Sequence, residues 1–202
     1  MIVITADQVG SRVSADLVSG VLDWANGPEG PGLLLPADRT AGDELQLLPA
    51  DARAALRIVL HLTRTGRWSV GCGIGSADPL GATVRETAGA AFVYAREAVE
   101  RAKKRPRRFA LENGTEHGRA VDALVDLLLV VRARRSREGW ELHDLLETGL
   151  TQAEAAERLG ITPQAASKRA RAADLRADTA ASAALVTLIA DLDAPHEEGG
   201  RR

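Results

Sequence analysis

Two sets of side chains in this sequence have types and spacings that could do chemistry. In the first, Thr162, Gln164, Ser167, Lys168, Arg169 and Arg171 follow one another at intervals that suit one helix. An amide such as Gln164 offers a donor and an acceptor together, the pattern that pairs with the major-groove edge of adenine. Thr162, Gln164 and Ser167 are therefore candidate base readers, and Lys168, Arg169 and Arg171 candidate phosphate contacts. The second set is acidic: Asp7, Asp43 and Glu44. Carboxylates brought together repel unless a cation or a basic group intervenes. Oxygen ligands of this kind suit Mg²⁺, usually shared with phosphate oxygens.

The cationic set needs a rigid helix, and the stretch 151–173 (TQAEAAERLGITPQAASKRARAA) contains the signals for one. Thr151 and Glu154 form a capping box, each side chain satisfying the other's backbone N–H. Ala155, Ala156 and Leu159 supply an apolar face, and Gly160 suits the left-handed position that ends a helix. Ile161 plugs the turn, Thr162 caps a second helix, and Pro163 occupies a first-turn position where its missing N–H costs nothing. The result is a helix-turn-helix whose second helix could enter a DNA major groove. An ordinary αα-corner with solvated charges is the alternative.

The acidic set needs a sheet. Residues 2–6 are a β-branched run ending at Asp7. Ser14 can cap a helix through Trp24, broken by Gly27, Pro28, Gly30 and Pro31. Residues 33–35 and 45–48 read as two strands joined by a turn over 37–42. Asp51 caps a helix to about Thr65, and 68–74 is a fourth strand closed by Gly75. The order β-α-β-β-α-β is the ferredoxin-like arrangement. Its first and third strands are antiparallel central neighbours, which places Asp7 beside Asp43 and Glu44. The alternative is that Asp7 and Asp43 merely cap strand-to-loop turns.

In these residues the sequence resembles the SatD family: TADQVGSR (5–12), GDELQ (42–46), GCGIG (71–75) and GAAFVYAREAVERA (89–102) are similar to its ordered motifs. That family consists of small bacterial proteins, often ending in a helix-turn-helix. The same stations resemble, more distantly, the class III nucleotide cyclase core. There an Asp ending the first strand and an Asp in the hairpin hold two metal ions, and a later helix supplies an Asn and, four residues on, an Arg. The resemblance implies metal ligands at Asp7 and Asp43, a nucleotide site at Asp7, Asp43, Glu44 and Arg96, and the arginine at Arg96. The position four before Arg96 is Phe92, and Glu44 adds negative charge where polyphosphate would sit. Losing a preorganised polar contact costs about 2.7–4 kcal/mol of barrier. The resemblance thus leads to a cyclase-like scaffold that is catalytically degenerate and senses a ligand or mediates assembly.

The remaining chain is helical. Residues 86–104 read as a helix and 107–111 as a last strand, with Lys103, Lys104, Arg105, Arg107 and Arg108 crowded round Pro106. This cluster could attract phosphate or simply complement a helix C-terminus. A turn at 112–114 precedes helices over 116–137 and 140–147, and a terminal apolar helix follows over 179–192. No paired strands follow the recognition helix, so no β-wing is expected. The apolar helices could pair two copies, giving a homodimer that reads a palindrome.

The fold expected is α+β: a ferredoxin-like, cyclase-like sensor domain over 1–113, an all-α helix-turn-helix domain over 114–194, and a disordered tail over 195–202. A net charge of −2 hides an acidic first segment, since 1–50 carries seven carboxylates against Arg12 and Arg39. The lone Cys72 excludes an internal disulfide, and its apolar neighbours imply a buried thiol. No signal peptide is visible and no apolar run spans a membrane, which points to the cytoplasm. The expected function is a dimeric, double-stranded-DNA-binding transcriptional regulator. The alternatives are a nucleotide-binding or nucleotide-converting metal-dependent protein whose helical half is an interaction module, and a protein-binding adaptor.

Overall fold

β-Branched and aliphatic side chains make Ile2–Gln8 the central strand, β1, of a five-stranded sheet in a computed structural model that describes residues 1–11, 15–78 and 81–194. The other strands are β2 (Leu33–Ala41), β3 (Glu44–Pro49), β4 (Trp68–Ile74) and β5 (Phe109–Glu112), in the spatial order β2-β3-β1-β4-β5. All neighbours are antiparallel except β4 and β5. The protein is therefore mixed α+β, with eight α-helices among the described residues. None of these helices is long and apolar enough to cross a membrane.

Alternation along β1 sends Ile4 and Ala6 to one face and Val3, Thr5 and Asp7 to the other. On the first face lie α1 (Val18–Asn26) and α2 (Ala52–Thr63), joined by Trp24 stacked on His61 with ring centroids 3.8 Å apart. Cys72 points to the same face and is buried, and the loss of hydration pushes its thiol up to about 12. On the other face lies α3 (Ala90–Ala102). Gly71 and Gly73 pair with Thr5 and Val3, and a Cβ at either would strike the backbone of α3. Only glycine permits a helix that close to a strand, which gives the GCGIG stretch a packing role.

Both edges of the sheet are closed by side chains. Asn26 reaches across to β2, accepting from Ala37 N–H at 2.7 Å and donating to its carbonyl at 3.2 Å, as a neighbouring strand would. On β5, Asp122 accepts the Leu111 N–H at 2.6 Å while Arg101 and Arg105 donate to the Leu111 and Phe109 carbonyls.

Several boundaries differ from the sequence reading. The helix expected from Ser14 begins at Val18 and runs past Trp24 to Asn26, after an N-cap Leu17 that makes no side-chain cap; Ser14 itself lies outside the described residues. β2 continues to Ala41, so its turn with β3 narrows to Gly42 (φ 57°) and Asp43. The helix expected from Glu86 is a short 3-10 turn, Val84–Glu86, and then α3 from Ala90; Gly89, at φ 134°, separates them. β5 starts after Arg108, whose φ of 52° breaks an extended run that was expected from Arg107.

Four turns also reset the helical half. α4 (Glu116–Ala133) stops short of Arg137 because Ser136 caps α5 (Arg137–Glu147), accepting from Gly139 N–H. α6 (Gln152–Arg158) and α7 (Pro163–Ala172) follow, and Asp174 at φ 52° leads into α8 (Leu175–Asp193). No strand follows β5 among the described residues. The tail over 195–202 lies outside them. The chain divides into two compact units: Met1–Asp126 with the described part of Leu185–Arg202, and Leu127–Ala184. The turn at 112–114 precedes α4, whose residues up to Asp126 belong to the first unit.

Candidate functional site

In the first unit, strand register sets Asp7 opposite Glu44, and Gln8 N–H donates to the Asp43 carbonyl at 3.2 Å. The three carboxylate residues therefore meet at one end of the β1–β3 seam. Each side chain has a different environment. Asp7 Oδ2 is 3.0 Å from Lys103 Nζ, just past the end of α3, and Lys103 also bonds Glu100 at 2.7 Å. Burial works against the Lys103 charge, but bonds to Glu100 and Asp7 outweigh it and raise the ammonium above its usual pKa. Glu44 Oε1 accepts from the Thr40 hydroxyl at 2.6 Å. Asp43 is half-buried and makes no side-chain bond to a described residue.

The basic group that a carboxylate seam requires is thus supplied by the chain itself. Asp7 and Asp43 could still share a divalent cation with a ligand's oxygens, but no group of three or more His, Cys, Asp or Glu side chains converges among the described residues. Arg96 is exposed and lies two helical turns, about 10 Å, before Lys103 along α3. It is not brought to the carboxylates. Phe92 packs with Val3, Ala91 and Ala95. The hydroxyl of Thr5, on the Asp7 face of β1, is buried without a hydrogen-bond partner among the described residues.

The basic stretch that begins at Arg101 is largely engaged within the fold. Arg101 pairs with Glu112 at 2.5 Å, Lys103 with Asp7, and Arg105 with both oxygens of the nearly buried Asp122 at 2.8 Å. Arg108 donates to Ser69 Oγ at 3.3 Å. Only Lys104 and Arg107 of this cluster are exposed without a described side-chain partner. Sequence reasoning saw the positive charge but not its partners, because Asp122 and Glu112 are brought up by tertiary packing.

In the second unit the local signals are all in place. Thr151 and Glu154 complete the capping box, with Thr151 N–H donating to Glu154 at 2.7 Å. That bond holds the Glu154 carboxyl below its usual pKa. Gly160 has φ 64°, and Ile161 N–H closes the turn on the Ala156 carbonyl at 3.0 Å. Thr162 accepts from Ala165 N–H at 3.2 Å, which leaves its O–H free to donate. Leu142 of α5, Ala155 of α6 and Ala173 after α7 form the core, with Leu145, Leu146, Leu159 and Ala170 against it.

This core fixes which side of α7 faces outward. Gln164, Lys168 and Arg171 are exposed along one row, Ser167 is half-exposed beside them, and none of the four makes a side-chain bond to a described residue. Arg169 faces α5, with Nη1 3.9 Å from Glu141. It therefore stands apart from the other cations.

One cluster was missed by sequence reasoning. Asp178 of α8 is buried and takes two bonds from Arg132, both 2.9 Å, and one from Arg135 at 2.8 Å. Arg135 lies over the Trp140 ring, 4.4 Å from its centroid. His143 Nε2 is 3.7 Å from Asp178, and burial and the Arg132 charge depress its pKa. The available signal was charged residues at buried helix positions within otherwise apolar faces. The chain matches no protein-family model, no curated protein and no solved structure.

Proposed function

We propose that this protein is a dimeric, DNA-binding transcriptional regulator whose first unit is a catalytically degenerate, ligand-sensing or assembly module. The observation that carries the reading is the outward row Gln164, Ser167, Lys168 and Arg171 on a doubly capped α7, free of partners among the described residues. Cations that the fold leaves unneutralised are available to phosphates, and Gln164 near the start of α7 is placed to meet a base edge. Thr162 joins it through its free O–H. Arg169 acts as a secondary phosphate contact that must first leave Glu141. Two copies reading one face of a duplex require half-sites about 34–36 Å apart or a multiple of it.

The pairing of β1 with β3 and β4, with α1 and α2 on one face, supports a ferredoxin-like, cyclase-like reading of the first unit, as does the resemblance to the SatD family. Phe92 in place of an amide, the exposure of Arg96 and the Lys103–Asp7 pair support a scaffold without efficient turnover. Titration of the full chain into duplex DNA at several salt concentrations tests the main reading. Salt-independent binding, or an affinity unchanged in Lys168→Ala with Arg171→Ala, would sink it.

A second reading, nucleotide binding at Asp7, Asp43 and Glu44 without Arg96, is favoured by the Asp7–Glu44 register and the Thr5 hydroxyl, which has no partner among the described residues. Nucleoside triphosphates with Mg²⁺ should then raise the thermal midpoint, and Asp7→Ala should abolish the shift.

A further inference from the structure

Four cations of the first unit collect at one end of the sheet without a carboxylate partner among the described residues. Arg67 precedes β4, and Arg107 and Arg108 precede β5. β4 and β5 run parallel with Val70 opposite Phe109, so these three arginines enter the sheet side by side. Lys104 lies in the turns between α3 and β5, where Lys104 N–H donates to the Arg101 carbonyl at 3.0 Å and Arg108 N–H to the Arg105 carbonyl at 3.1 Å. Arg67, Lys104 and Arg107 are exposed with no side-chain bond to a described residue, and Arg108 is half-exposed.

Two of the four converge. Val9 N–H donates to the Arg67 carbonyl at 2.8 Å, so the ladder with β1 extends through Arg67. Alternation then sets Arg67 on the face of Ser69 and Gly71, the face that meets α3. Arg108 reaches the same face, donating to Ser69 Oγ at 3.3 Å. It does so from a left-handed backbone, φ 52°, which an arginine adopts only at a steric cost. Ser69 is neutral, so this bond leaves the Arg108 charge uncompensated. Asp7 stands opposite Ser69, but its carboxylate is met by Lys103 at 3.0 Å. The α3 dipole explains a cation such as Lys104 near its C-terminus. It gives no reason for an arginine held in a left-handed conformation.

Strain kept at a residue whose charge is unpaired points to a ligand. Guanidinium forks match phosphate oxygens two at a time, and several cations at one place favour more than one phosphate. Convergence on Ser69 suits a compact anion rather than the spaced phosphates of a duplex. Trp68 and Phe109, the aromatics at this end, are buried, which removes any stacking platform for a base. We propose that Arg67 and Arg108, flanked by Lys104 and Arg107, form a metal-independent site for a small oligophosphate. The site uses no carboxylate of the acidic seam and no residue of α7. It therefore goes beyond both readings above and survives the failure of either.

Calorimetric titration of the full chain with tripolyphosphate in EDTA tests it, with sulfate at matched ionic strength as the control. Wild type should bind tripolyphosphate, less tightly as salt rises, and sulfate far more weakly. Arg67→Ala should weaken binding about tenfold, and Lys104→Ala with Arg107→Ala about threefold. Arg108→Gly should also weaken it about tenfold while the thermal midpoint stays near wild type, because glycine accepts φ 52° freely. A purely structural arginine would give the opposite pattern, intact binding with altered stability. Asp7→Ala should bind at least as tightly as wild type, and Lys168→Ala with Arg171→Ala should bind equally well. No binding by wild type overturns the site, as does wild-type affinity in both Arg67→Ala and Arg108→Gly. Binding lost in the α7 variant assigns the anion to α7, and a requirement for Mg²⁺ assigns it to the acidic seam; either result overturns the proposal.

Discussion

The stretch that begins at Arg101 and helix α7 are both basic, yet the fold treats their charges in opposite ways. In the first, Arg101, Lys103, Arg105 and Arg108 each have a partner inside the unit: Glu112, Asp7, Asp122 and Ser69. In α7 only Arg169 has one among the described residues, at 3.9 Å, and Gln164, Lys168 and Arg171 face solvent. Local charge density is therefore a poor guide to which charges remain available. On the proposed reading, a binding surface is one whose charges the fold leaves without partners. The acidic seam follows the same rule, since Lys103 supplies the cation that Asp7 would otherwise seek outside.

The largest expected effect lies with the buried pairs. Asp178→Ala would strand Arg132 and Arg135, and Asp122→Ala would strand Arg105 together with the Leu111 N–H. Each should cost on the order of 3–5 kcal/mol, read from the urea midpoint. A loss below about 1 kcal/mol at Asp122 would mean that the Arg101 stretch is less committed to the fold than its geometry indicates.

Lys168→Ala with Arg171→Ala should move binding rather than folding. Duplex affinity should fall, and the slope of log affinity against log salt should shrink by about 2, while stability stays within about 0.5 kcal/mol. Making the equivalent double change at Lys104 and Arg107 should leave affinity nearly intact. If it weakens binding as strongly, both basic regions touch DNA and the contrast fails.

Thr162→Ala removes the cap that starts α7 and should cost about 1 kcal/mol, measured by thermal unfolding. Lys103→Met should cost less than about 1 kcal/mol, because the pair with Asp7 is partly exposed and screened.

A smaller pH effect separates the two units. His61 is depressed by burial and by Arg64, and His143 by burial and by Arg132. A folded-state histidine pKa below the unfolded value means that the unfolded chain binds protons first as pH falls. Stability is therefore full above the usual 6.5 and declines as pH drops through the folded values. His143→Gln should flatten that decline for the second unit and His61→Phe for the first, in urea melts between about pH 7 and 5. A thermal midpoint that does not fall on acidification would contradict both depressions.

Much of the second unit was legible because its signals are local. Thr151 with Glu154, Gly160, Thr162 and Pro163 act within one turn of their own backbone, so their pattern is complete in a short window. The strands were legible from β-branched runs, and the Asp7–Glu44 neighbourhood from strand order. Helix ends were less so: Arg108 and Asp174 adopt left-handed conformations that a sequence gives no reason to expect of Arg. Nothing local marks Lys103, in its basic cluster, as the partner of Asp7, or Asp178 as the partner of Arg132 and Arg135.

Caps, turn glycines and apolar periodicity were determined by the sequence alone, because the groups that satisfy them are a few bonds away. Which charges are free was decided only by tertiary structure. Asp122 meets Arg105, Asp7 meets Lys103 and Asp178 meets Arg132 across long stretches of chain. Whether a carboxylate or a cation is left over for an external partner depends on every such meeting. Packing fixes those meetings; residue order does not.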